Sequence, residues 1–227
     1  MNPPYWVPFV AACATLIAAL VALFKEDVVK LWRRPKLSIR MLLESPDCVL
    51  MPVAVVTGTT LVWQGYCYFL RLWVENQGHF AERVQVYVKS VSYQMGDGRK
   101  KIVEEFIPMN LRWADSPDPS DPIIFESINP FMGRYCDFAT VSDPTNTTER
   151  IRDGMATRES TFNLQTQVSP NTQGNRLTPN NYIIELLVAA SNAKPKAYTI
   201  TIEWKGRYIQ DPARMFGEGV KLKILPD

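Results

Sequence analysis

His79 is the only histidine among the 227 residues, so the chain cannot assemble a histidine-based metal cage, and a serine–histidine pair would have no second imidazole to draw on. It sits in Asn76-Gln77-Gly78-His79, between two apolar runs, where an exposed turn residue is the ordinary explanation. Asp115, Asp118 and Asp121 recur every third residue among prolines. That spacing is not that of an EF-hand, and acidic proline-rich loops are ordinarily solvated rather than metal-bound. Cys48, Cys67 and Cys136 are an odd three at uneven intervals, neither a zinc pattern nor a disulfide framework, and read as buried reduced thiols. No phosphate loop or dinucleotide fingerprint occurs, and Gly96-Asp97-Gly98-Arg99 is a hairpin turn. Asn146-Thr147-Thr148 is a glycosylation sequon by pattern, without meaning in a cytosolic domain. The expectation is therefore no catalytic residue, no cofactor, no metal and no small-molecule substrate.

Binding is the chemistry that remains. Trp113, Arg134 and Tyr135 flank the proline-rich acidic loop and belong to the residue types that dominate protein interfaces, so they are the expected partner-binding residues. The polar stretch from Ser142 to Ser160 interrupts a strand-rich chain; its Arg150, Arg152 and Arg158 are balanced by Glu149, Asp153 and Glu159, which describes a solvated excursion. A formal net charge of +2 supplies no global electrostatic case for nucleic acid.

What must position such residues begins with an anchor. Tyr5 to Phe24 contains no charged residue, and twenty residues at a 1.5 Å rise span the roughly 30 Å hydrocarbon layer of a bilayer. Pro8 falls in the first turn, where a missing N–H costs little, and Tyr5 and Trp6 suit an aromatic belt at the interface. The run lacks the positive n-region of a secretory signal, and Val10-Ala-Ala-Cys13 comes too early for a lipobox. Lys25, Lys30, Arg33, Arg34 and Lys36 follow it, whereas only the amino terminus is charged before it. The positive-inside rule then predicts an inner-membrane, single-pass chain, N-out and C-in, with residues 1–34 as anchor and basic extension and residues 35–227 in the cytoplasm. Pro35 ends the helical extension.

Beyond Pro35 the chain reads as strands. Val84, Val86 and Val88 alternate with Gln85, Tyr87 and Lys89; Tyr198, Ile200, Ile202 and Trp204 alternate with Thr199, Thr201 and Glu203. Residues 220–225 alternate in the same way. Residues 66–76 and 181–190 are denser in apolar side chains and read as central strands covered on both faces. Weaker strands are expected at 37–43, 49–56, 101–106, 122–126, 134–140 and 160–166, and no soluble helix is. Seventeen prolines against eleven glycines suit many turns and edges. The prediction is a mainly β, two-sheet antiparallel sandwich.

The stretch Tyr68 to Val91, with Val74, Asn76, Gly78, Ala81 and Val84 at its marker positions, resembles the strand–turn–strand passage of prokaryotic immunoglobulin-like domains of the CARDB type. Ile183 to Gly206 resembles the late strand pair of such a domain, and the anchor with its Arg34-Pro35-Lys36-Leu37 junction resembles uncharacterised single-pass bacterial membrane proteins. This resemblance implies an immunoglobulin-like β-sandwich and implies folding rather than chemistry. Together these readings predict a membrane-tethered, cytosolic recognition or scaffolding module that binds a protein partner and is not an enzyme. The alternatives are an extracytoplasmic adhesion or envelope module of opposite topology, and a membrane-associated hydrolase with an unrecognised site.

Overall fold

The computed structural model describes residues 9–10, 12–19, 21–22, 34–57, 60–114, 123–143 and 160–226, and only the backbone of 54–57, 60–64 and 226. The chain divides into two units, Met1–Arg34 and Pro35–Asp227.

In the first unit every described residue from Phe9 to Ala22 is helical, and Phe9, Val10, Leu16, Ile17 and Val21 are exposed. Among the described residues no helix is long and apolar enough to cross a membrane, so the helix seen here does not by itself make the expected span. Lys25, Lys30 and Arg33 lie outside the described residues, as do Asp115, Asp118, Asp121, the sequon and the arginines of the 142–160 stretch.

The second unit is built from two antiparallel sheets. In the first, β1 (Leu37–Arg40) and β2 (Cys48–Thr57) lie end to end along one edge of β3 (Thr60–Asn76), whose other edge pairs with β9 (Met132–Ser142). Beyond β9 come β7 (Arg112–Trp113), β10 (Phe162–Leu164) and β11 (Arg176–Leu177). In the second, β14 (Val220–Pro226), β13 (Ala193–Trp204), β12 (Asn180–Ala190) and β4 (Ala81–Gln94) run in that order, and β5 (Lys100–Ile102), β6 (Met109–Asn110) and β8 (Phe125–Ile128) share the outer edge of β4.

Alternation explains the packing. Leu70, Leu72 and Val74 of β3, Val84, Val86 and Val88 of β4, and Ile184, Leu186 and Val188 of β12 are fully buried in one core that both sheets share. Phe162 of the first sheet meets Trp204 of the second with ring centroids 6.1 Å apart, and the Tyr198 hydroxyl donates to the Leu37 carbonyl at 3.3 Å. These contacts make the unit a β-sandwich. A strand lies within each expected segment, although the one expected at 101–106 stops at Ile102 and the chain turns at Glu104–Glu105, and β3 and β12 are not covered on both faces. Their intervening residues, Arg71, Trp73 and Glu75 on β3 and Ile183, Glu185 and Leu187 on β12, are half-buried, because long neighbouring side chains shield them in place of a third layer. One helical element went unforeseen: a turn at Pro212–Arg214, capped by Asp211, runs into a π turn at Met215–Gly219.

Candidate recognition surface

The three expected binding residues do not form one patch. Trp113 is only 3% exposed; its Nε1–H donates to the Ile123 carbonyl at 3.1 Å and its ring leans on Phe125 at 5.4 Å, which makes it part of the core. Arg134 is exposed and lays its guanidinium over Phe125, 5.4 Å from the ring centroid. Tyr135, the next residue on β9, points to the opposite face of the sheet, as the period of two requires. The structure does not bring the three together: Trp113 serves the core, and Arg134 and Tyr135, adjacent on one strand, take opposite faces.

Tyr135 instead belongs to a cluster on the outer face of the first sheet. Register places Arg40 of β1 beside Trp73 of β3 and Trp73 beside Tyr135 of β9. The rings of Trp73 and Tyr135 meet edge to face at 4.8 Å. The Arg40 guanidinium lies 5.6 Å from the Trp73 centroid and that of Arg71 4.8 Å from Tyr135. Gly133 makes this arrangement possible: a Cβ there would come within 2.4 Å of the Trp73 indole, so the ring can cross β9 only over a glycine.

Asp47 organises the cluster from below. It is fully buried at the end of the Met41–Asp47 loop, which carries a cis Ser45–Pro46 bond and fills the gap between β1 and β2. Its carboxylate accepts from the Leu42 amide at 2.8 Å, Arg40 Nη1 at 3.1 Å and the Tyr135 hydroxyl at 3.1 Å. Burial first, then this bond to Asp47, raises the Tyr135 phenol above its ordinary pKa. Arg71 Nη2 donates to the Pro46 carbonyl at 2.9 Å, while its buried Nε has no hydrogen-bond partner. The cluster thus presents two arginines and two aromatic rings, each held by a neighbour and each still half-buried or exposed.

The outer face of the second sheet is different. Glu185 accepts Lys89 at 3.3 Å and Lys100 at 3.5 Å, and Glu203 accepts Lys205 and Lys221. Such mutually neutralised surface pairs are worth little and present no anchor.

The remaining sequence candidates are structural or bland. His79 is an exposed residue in the β3–β4 turn. Asn76, next to it, is fully buried: its Oδ1 accepts the Lys36 and Gly78 amides at 3.1 and 3.0 Å, and its Nδ2 donates to the Ile128 and His79 carbonyls. Cys48, Cys67 and Cys136 are buried, and none forms a disulfide. Burial pushes the Cys48 thiol up to about 12 and that of Cys136 well above the ordinary value, so neither is poised as a nucleophile. Among the described residues no group of three His, Cys, Asp or Glu side chains could hold a metal ion.

Protein-family models, curated proteins and solved structures yield no match to this chain.

Proposed function

We propose that the chain is a membrane-tethered recognition module, an immunoglobulin-like sandwich held at the cytoplasmic face of the inner membrane that binds a protein partner through the outer face of its first sheet. The observation that carries this reading is the Arg40–Arg71–Trp73–Tyr135 cluster. Trp, Tyr and Arg are the residues that most often carry binding energy, and here they are ordered before any partner arrives, so less side-chain entropy is lost on binding. The tether and its orientation are supported by the uncharged run from Tyr5 to Phe24 and the basic residues after it.

A photo-crosslinking amino acid at Glu75, beside the cluster, tests the surface in cells, with Lys89 on the second sheet as the control position. A discrete protein adduct is expected from position 75 alone. Trp73→Ala should abolish it, since losing an interface anchor weakens binding about 30-fold. Equal adducts from both positions, or one indifferent to Trp73→Ala, would sink the reading. Sidedness has its own test. Gly96→Cys, with open space around the new side chain, should react with an impermeant maleimide only in broken cells. Gly98, at φ 82°, is the poorer position for the probe. Labelling of intact cells would place the domain outside and favour the adhesion reading.

A further inference from the structure

The end of the sandwich where the chain enters it carries a set of exposed apolar residues. Three neighbouring strands align there, with Leu37 opposite Asn76 and Asn76 opposite Met132. Lys36 is bonded through its amide to Asn76, the Phe131 amide donates to the Asn76 carbonyl at 2.7 Å, and Asn192 Nδ2 donates to the Phe80 carbonyl at 2.8 Å. The β3–β4, β8–β9 and β12–β13 turns and the entering chain are thus stitched into one surface. From it project Phe131, 86% exposed, Met132, 48%, and Phe80, 42%. Phe131 also sits at φ 59°, a left-handed conformation that bulky residues rarely adopt and that glycine or asparagine would take at lower cost. An aromatic ring kept exposed on a strained backbone has no use within the fold.

We infer that this end is a lipid-contacting tip, in which Phe131, flanked by Phe80 and Met132, enters the headgroup region of an anionic bilayer. The inference rests on the membrane-tether reading. Two observations select lipid as the occupant. The uncharged run ends at Phe24 and the sandwich begins at Pro35, so the chain entering this end is tied to the bilayer by a short link that reaches at most about 35 Å even when fully extended. Charge is the second. Lys36, Arg83, Arg134, Lys194 and Lys196 are exposed at or near this end and outnumber Glu75, Glu82 and Glu126 among the described residues. Apolar side chains within a basic surround are the composition that seats on anionic headgroups.

The test uses the full chain reconstituted in vesicles of phosphatidylcholine and phosphatidylglycerol. A bimane label is placed at Met132→Cys, or at Gly96→Cys in the β4–β5 turn at the opposite end, in a Cys13→Ala background. Nitroxide-bearing lipids should quench the label at 132 and leave that at 96 bright. Phe131→Asn, which suits the backbone and removes the ring, should abolish the quenching. Lys36→Gln and Lys194→Gln should each lower the docked-to-undocked ratio about fivefold, as should vesicles lacking phosphatidylglycerol. Flotation of the chain with the vesicles reads the tether separately. Flotation with equal quenching at both positions, or quenching indifferent to Phe131→Asn, overturns the tip alone and leaves Phe131 to a protein partner. Failure to float overturns the tether and the tip with it.

Discussion

Asn76 shows how much one buried polar residue decides. Four hydrogen bonds from a single amide tie together the start of β1, the end of β3, the turn containing His79 and the end of β8. Buried amide groups are stabilising only while every partner is present, because an orphaned donor or acceptor bears its full desolvation cost. Asn76→Ala orphans two amides and two carbonyls, and should lower stability by about 2–4 kcal/mol in urea unfolding. His79→Ala, which keeps the backbone carbonyl and removes only an exposed ring, should be within about 0.5 kcal/mol of the parent. The Asn and Gly of this turn thus act on folding, through the four hydrogen bonds of the Asn76 amide.

At the scale of elements, β3 does two jobs along its length. From Cys67 to Asn76 it is central, paired with β9 on one side and with β1 and β2 on the other. From Thr60 to Tyr66 its only strand partner among the described residues is β2. Two-stranded ribbons are marginal alone, so this arm should open far more readily than the core that anchors it. Hydrogen exchange should show the amides of Thr60 to Gly65 exchanging orders of magnitude faster than those of Leu70 to Val74. Equal protection along β3 would mean that the arm is covered on its second edge. The half-exposed outer faces of β3 and β12 also follow from element placement: a sandwich of two layers leaves each sheet one wet face, whatever the apolar density of its strands.

For the molecule as a whole, the buried groups that ionise at high pH set a limit on stability. Cys48 is pushed up to about 12 by burial and then by Asp47, and Tyr68 to about 12 by burial and then by Asp211; Cys136 and Tyr208 are raised in the same direction. Each is neutral in the folded state at a pH where the unfolded chain has already lost the proton. Their contribution is therefore fully present below the unfolded values, near 9 for a thiol and 10 for a phenol, and is lost as pH rises through the folded ones. Urea midpoints should hold steady from neutral pH to about 9 and then fall as the pH rises toward 12. Cys48→Ala should make that fall shallower while leaving the neutral-pH slope alone. An unchanged alkaline slope in that variant would mean that Cys48 ionises as readily folded as unfolded.

Local pattern carried much of this protein. Alternation at 84–88 and 198–204 determined strands and inward faces, since a period of two leaves no freedom about which side chains share a side. Gly and Pro punctuation located the turns. Uncharged length and flanking bases supported the tether reading without any structure. What alternation could not reveal is which residues from distant strands stand side by side. Arg40, Arg71, Trp73 and Tyr135 form a cluster only through the registers of β1, β3 and β9, and each looks like an ordinary outward residue within its own strand; Asp47 reaches them from the loop before β2. Trp113 was misplaced for the same reason: its two-residue strand is too short to show a period, and only its pairing with Cys136 reveals that it faces the core. The tip was equally hidden, because the backbone sign of Phe131 and the tying of its turn and of the entering chain to Asn76 are properties of turns brought together by the sheets, not of any segment alone.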